Sequence, residues 1–320
     1  MVNNLFVQSI SVTGSKKAAR GKFNEDSYIA DSEKGIFITA DGIGGRNAGK
    51  LASQTAVNVL YHELKGYHHM IEDGSLDTVD ILDSLKDAVV LTNADRSVVS
   101  KGPDLIRSAV QRVGVLKGML LKDKTLDNKW IPSYVEELLE DLQDFNKIRG
   151  TRQLSGMGTT LDGVYLSNDR AYIAHVGDGR VYKISTDGYI RQLTNDHISE
   201  CTLPPQISSL EKTIRTERNG LISYIGSGSD LLVDIFSIPF RSGETILMLT
   251  DGFTKAIAEP ELVNAAGNWT HFEKRIMDLY TNPEWMSKVY GRVYDISQTE
   301  AQKTLSEKDH ATIIAIRRND

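Results

Sequence analysis

The chain has 320 residues, 40% of them hydrophobic and 25% charged, which is the balance of an ordinary globular protein able to bury a sizeable core. A formal net charge of −6 with no evident basic patch argues against nucleic acid as an obligatory partner. The lone cysteine, Cys201, rules out an internal disulfide, no Cys/His spacing suits structural zinc, and no stretch approaches the roughly 18 apolar residues of a membrane helix.

At the start, residues 1–7 lack a basic flank followed by an apolar core, so the expected location is cytoplasmic. Residues 5–12 alternate apolar and polar side chains as a half-buried strand does, and 28–30 and 35–40 read as two further strands joined by a polar turn. The Gly-rich segment 41–45 then leads into a helical pattern over 48–65. A second helix is predicted over about 80–100, with Ile81, Leu82, Leu85, Ala88, Val89 and Thr92 on one face. Two more helical patterns lie between Gly102-Pro103 and Gly150, the latter with an outward acidic face of Glu136, Glu137, Glu140, Asp141 and Asp144 that reads as solvated. From Gly158 the pattern turns to strands at 159–166, 170–176, 180–185 and 189–193, predicted to form an antiparallel meander. A strand pair at 231–238 and 245–250, helices over about 260–279 and 297–305, and a last strand at 311–317 complete the chain. Without repeats or a Pro/Gly/Ser-rich linker, the organisation reads as one domain over 1–320 with a helical insertion at about 101–150.

Five short acidic stretches carry the chemistry: Asn24-Glu25-Asp26, Asp41-Gly42-Ile43-Gly44-Gly45, Gly177-Asp178-Gly179-Arg180, Thr250-Asp251-Gly252 and Asp309-His310. Each sets a carboxylate at or beside an apolar, strand-like run. Taken singly, such an acid is a turn former or a helix cap. Together they offer the oxygen donors that magnesium and manganese prefer, which points to metal-assisted hydrolysis. The Gly-rich 156–161 lacks the Lys-Ser/Thr ending of a nucleotide loop and reads as a strand start, and His175 reads as a packed core residue.

These acids stand within seven blocks in one order: Asn24-Glu25-Asp26-Ser27, Ala40-Asp41-Gly42-Ile43-Gly44-Gly45, Gly156-Met157-Gly158-Thr159-Thr160-Leu161, Ala174-His175-Val176-Gly177-Asp178-Gly179-Arg180, Leu193-Thr194-Asn195-Asp196-His197, Leu249-Thr250-Asp251-Gly252 and Lys308-Asp309-His310-Ala311-Thr312. In this the chain resembles the metal-dependent protein phosphatases of type 2C, over about 9–100 and 155–320, weakly across 198–222 and not across the insertion. The resemblance implies an α+β fold, a four-layer α-β-β-α sandwich of two antiparallel sheets flanked by helices. It also implies hydrolysis of phosphoserine and phosphothreonine on protein partners by a metal-activated water at a two-metal centre of Mn2+ or Mg2+, with a weaker third ion. Carried over by position, Asp41 would bridge two ions, the Gly42 carbonyl would ligate one, and Asp251 and Asp309 would hold the other. Glu25 and Asp26 would bind or orient metal-bound waters, making Asp26 and Asp41 the expected catalytic residues, and Asp178 would hold the third ion.

The chain also departs from the family pattern. Gly21 stands where a phosphate-binding Arg is common, so Arg20 is the expected phosphate ligand, and Arg46 replaces a common His after the Asp-Gly turn. Arg46 is a poor general acid and would instead neutralise phosphate charge or meet a partner. Gly179 replaces a common Ser and His310 a common Asn. These departures and the insertion leave a second reading, a catalytically weak phosphatase-fold module that binds a protein partner. The insertion itself reads as a structural elaboration, or as a helical hairpin that docks such a partner.

Overall fold

A computed structural model describes residues 4–14, 18, 24–43, 49–72, 76–94, 158–199, 220–227, 231–282, 287, 288, 291, 297–300 and 309–319. Strand β3 (Ile36–Asp41) shows how alternation along the sequence builds its layers. Ile36, Ile38 and Ala40 pack into one core with helical residues, while Phe37 enters a second core shared with the opposite sheet. Phe37 has no exposed surface, and burial of a side chain this size contributes about 1.5–3 kcal/mol.

Two five-stranded antiparallel sheets face each other. One sheet joins β2 (Asp26–Asp31), β3, β4 (Leu161–Ser167), β5 (Arg170–Val176) and β8 (Asp234–Pro239) in that order. The other runs β1 (Leu5–Val12), β10 (Ala311–Arg318), β9 (Thr245–Leu249), β6 (Arg180–Ile184) and β7 (Ile190–Gln192). Phe37, Val164 and Ile173 from the first sheet meet Val181, Met248 and Ile314 from the second in the central core.

Helices α1 (Gly49–Glu72) and α2 (Thr78–Ala94) cover the outer face of the first sheet. In α1, Ala52, Ala56, Val57, Leu60 and Leu64 recur at helical spacing and are buried. Asp77 starts α2 by accepting from the backbone N–H groups of Val79 at 2.7 Å and Asp80 at 2.9 Å, while Asp80 accepts in return from the Asp77 N–H at 3.0 Å. The outer face of the second sheet is covered by the single turn α3 (Asp251–Thr254), by α4 (Glu259–Gly267) and by α5 (Phe272–Thr281), whose Phe272, Ile276, Leu279 and Tyr280 are buried. The four-layer α-β-β-α order anticipated from the resemblance is the one observed.

Two sequence expectations about strand pairing are corrected. The hairpins β4–β5 and β6–β7 form, but β5 and β6 belong to different sheets, so the four strands are not one meander. Strands β8 and β9 do not pair either, because β8 adds to β5 and β9 lies between β6 and β10. The insertion at 101–150 and most of the helix anticipated over 297–305 lie outside the described residues. No helix among the described residues is long and apolar enough to cross a membrane.

Candidate metal centre

Antiparallel pairing brings the acidic stretches to one end of the sandwich. Asp26 opens β2 directly opposite Asp41, which closes β3, so both carboxylates project on the face that looks toward the second sheet. On that second sheet Asp251 follows the end of β9 and Asp309 precedes β10, two strands paired as neighbours. Asp178 lies in the three-residue crossover from β5 to β6, between the sheets at the same end.

The Asp26–Asp41 pair is held by backbone and hydroxyl bonds. Asn24 Oδ1 accepts from the Asp26 N–H at 3.1 Å, and the Asp41 N–H donates to Thr160 Oγ1 at 2.9 Å. Thr159 Oγ1 donates to the Asp41 carbonyl at 2.8 Å. Just beyond, Gly42 has no room for a side chain, since a Cβ there would stand 2.2 Å from the Gly49 carbonyl oxygen and 2.7 Å from that of Glu25. Glycine thus lets the β3 end, the Glu25 backbone and the start of α1 meet at backbone distance.

The second sheet reaches across to the first through two threonines. Thr312 Oγ1 and Thr250 Oγ1 donate to Asp26 Oδ2 at 2.7 and 2.9 Å. The Thr312 N–H donates to Thr250 Oγ1 at 2.8 Å, which orients that hydroxyl. The other oxygen, Asp26 Oδ1, is buried and accepts no hydrogen bond. Gly252 lets α3 lie against the start of β10, because a Cβ there would fall 1.9 Å from the His310 carbonyl oxygen. Tyr280 donates its hydroxyl to the Asp309 carbonyl at 2.9 Å, and buried His310 sits with Nε2 3.6 Å from Glu25 Oε2.

Behind Asp178 lies a polar brace. Gly177 adopts φ +116°, a conformation open to glycine, and turns the chain from one sheet to the other. Arg180 grips Asp196 through Nε to Oδ1 at 2.9 Å and Nη2 to Oδ2 at 2.6 Å, a bidentate pair that raises the Arg180 pKa against its burial. His175 places Nδ1 2.6 Å from Asp162 Oδ1 and Nε2 2.9 Å from the Asn195 carbonyl. Burial opposes charge on this ring, yet the Asp162 carboxylate and the carbonyl outweigh it and raise its pKa. His197 accepts the Gly177 N–H on Nδ1 at 3.2 Å and faces Asp234 with Nε2 at 3.4 Å. The grouping of His175, His197 and Asp234 is therefore a hydrogen-bonded support, with both His175 nitrogens already engaged.

The electrostatics of the acid cluster favour a bound proton or a cation. Burial pushes the Asp26 carboxyl up to about 6, the threonine hydrogen bonds pull it down, and Asp251 pushes it up again. Asp178 rises to about 7 through burial and the nearby Asp251 charge, partly offset by Lys255. Asp41 lies well above the carboxylate range, through burial and then repulsion from Asp26, Asp251 and Asp309. Asp41, Asp178, Asp251 and Asp309 nonetheless retain accessible surface. Crowded carboxylates with an unbonded buried oxygen, open on one side to solvent, fit hard divalent cations.

Of the residues singled out from the sequence, Glu25, Asp26, Asp41, Gly42, Asp178, Asp251 and Asp309 meet at this end; Arg20 and Arg46 lie outside the described residues. Sequence reading missed Thr250 and Thr312 as donors to Asp26, Asp162 as the partner of His175, and Lys255 beside Asp251. Only Lys255 carried a local signal, being four residues from Asp251 on a helical turn.

This sandwich, with acids gathered at one end, is the fold of solved serine/threonine phosphatases. The Mycobacterium tuberculosis phosphatase PstP/Ppp superposes with a TM-score of 0.59 at 19% identity, covering 99% of this chain and all of that one. A structure of the PstP catalytic domain in complex with two manganese ions gives 0.58 at 20% identity, covering 99% of each chain. In sequence, the serine/threonine phosphatase Stp of Listeria innocua is 28% identical over 244 residues, 75% of each protein, and PhpP of Streptococcus pneumoniae is 24% identical over 237 residues, 73% of this chain and 74% of that one. The protein phosphatase 2C family matches residues 13–305, and the chain belongs to that family. It is a phosphoprotein phosphatase.

Proposed function

We propose that the acid cluster holds two divalent cations, Mn2+ or Mg2+, and that the chain uses them to hydrolyse phosphoserine and phosphothreonine esters on protein partners. The observation that carries this reading is the convergence of carboxylates from five separate segments around Asp26, whose buried Oδ1 has no hydrogen-bond partner. Asp41, which pairs with Asp26 and feels the charges of Asp251 and Asp309, would serve both ions, with the Gly42 carbonyl on one and Asp251 and Asp309 on the other. Glu25 and Asp26 orient water, and Asp178 offers a weaker third position next to Asp251. Bound ions supply an acidified water and neutralise the phosphoryl oxygens.

The protein's own groups do the remaining work. Thr250 and Thr312 fix one oxygen of Asp26 so that the other keeps a single direction. Arg20 is the proposed phosphate grip and Arg46 a further neutralising charge. One domain over 1–320, with an insertion at about 101–150, accords with strands on both sides of that segment pairing directly, β3 with β4. The proposed setting is cytoplasmic, which a single cysteine in 320 residues suits.

The test is phosphate release from phosphoserine and phosphothreonine peptides against added Mn2+, with Asp41→Asn as the comparison. Release that requires the metal and vanishes in the variant supports the reading. Turnover without metal, or full turnover in the variant, sinks it. Absence of turnover with retained phosphopeptide binding would move the chain to the binding-module reading.

A further inference from the structure

Lys255 is a charged residue beside this cluster that the two-ion reading does not use. It follows α3 by one position, its backbone N–H donates to the Asp251 carbonyl at 2.9 Å, and its Nζ lies 2.6 Å from Asp251 Oδ2. The side chain is about one-third exposed and Asp251 about half of that, so the pair stands at the open side of the cluster. Its charge reaches Asp178 as well, where it opposes the combined effect of burial and Asp251.

We propose that Lys255 is a tethered cation that occupies the charge position between Asp251 and Asp178, so that this chain holds two divalent ions and resists a third. The inference rests on the metal reading above. The physical case is one of competition for an oxygen. A divalent ion between Asp178 and Asp251 would have to share the Asp251 carboxylate with an ammonium already in contact with its Oδ2. The ammonium is fixed to the chain one helical turn away, so it surrenders no translational freedom on binding. It also repels an incoming cation at close range, where screening by water is incomplete. By contrast, no ammonium contacts Asp26 Oδ2 among the described residues, and its two threonine donors leave the negative charge in place. The chain is thus electrostatically biased toward two ions about Asp41 and partly self-compensated between Asp251 and Asp178.

The experiment is a Mn2+ titration of the full chain followed by calorimetry and by the spin-resonance signal of free Mn2+, with wild type, Lys255→Met and Lys255→Arg in parallel. Met keeps most of the stem without the charge, and Arg keeps the charge. The expected result is two ions in wild type and in Lys255→Arg, and a third in Lys255→Met at least about tenfold tighter than any third event in wild type. Two tight ions retained in Lys255→Met show that the variant is folded at the site. A wild-type chain that binds a third ion as tightly as Lys255→Met does, or a Lys255→Met chain that stays at two, overturns the Lys255 assignment and leaves the two-ion reading standing. A wild-type chain that binds no Mn2+ sinks both.

Discussion

The two sides of the acid cluster meet the same electrostatic problem with different donors. On the Asp26 side, two hydroxyls from the opposite sheet stabilise a buried carboxylate oxygen without cancelling its charge. On the Asp178–Asp251 side, an ammonium cancels part of the charge outright. Neutral donors keep a carboxylate poised for an external cation, whereas a fixed cation removes the need for one. The contrast separates groups that bind an ion from groups that substitute for it.

The largest effect should come from removing the acid common to both sides. Asp41→Asn is expected to lower Mn2+-dependent phosphopeptide hydrolysis by more than about a hundredfold, beyond what loss of a supporting partner costs. Its circular dichroism should stay that of the wild type, because Asp41 ends a strand and its backbone bonds to Thr159 and Thr160 survive the change.

A smaller loss should follow from changing only the hydroxyl donors. Thr250→Val with Thr312→Val keeps the shape and removes both bonds to Asp26 Oδ2. Activity is expected to fall by about tenfold to a hundredfold, with weaker Mn2+ affinity in calorimetry. Unchanged affinity would mean that the hydroxyls serve packing alone.

The chelated protein should show the charge problem directly. Between the ordinary carboxylate range, about 4, and the raised values of about 6 for Asp26 and about 7 for Asp178, the folded state keeps protons that the unfolded chain has released. Stability contributed by these groups is therefore present at low pH and lost as pH rises through the folded-state values. Melting in chelator is expected to shift downward from pH 5 to about pH 7.5, with the loss reversed by Mn2+. Asp26→Asn should flatten part of that slope and raise the melting temperature of the chelated protein at the upper end.

The least effect belongs to the compensated side. Removing the partly exposed ammonium with Lys255→Met is expected to cost the chelated protein about 1 kcal/mol or less at neutral pH, read from denaturant midpoints. Recovery on adding Mn2+ should exceed that of the wild type.

Much of the scaffold was legible along the chain. The strand readings at 5–12, where side chains alternate, and at 311–317 matched β1 and β10 to within a residue, and apolar spacing from Ala52 to Leu64 marked the buried face of α1. The register of acidic blocks pointed to the acids that meet at one end. Harder to read was the step from Val176 to Arg180, where a three-residue link looks like a hairpin turn but Gly177 at φ +116° sends the chain to the other sheet. The β8–β9 connection misled for a related reason, since Arg241–Glu244 reads as a hairpin turn while each flanking strand has other partners.

What the sequence by itself determined is local: which residues alternate, which helix face is apolar, and which acids follow strand ends, because these depend on backbone geometry over a few residues. The tertiary structure alone decided the partners. Asp26 receives hydroxyls from residues 224 and 286 positions away, His175 finds Asp162 across a strand pair, and the ammonium of Lys255, past the end of β9, comes to bear on Asp178 before the paired strand β6. Such pairings follow from which sheet each strand joins, a choice made by the packing of three cores and left unmarked by the alternation within any one strand.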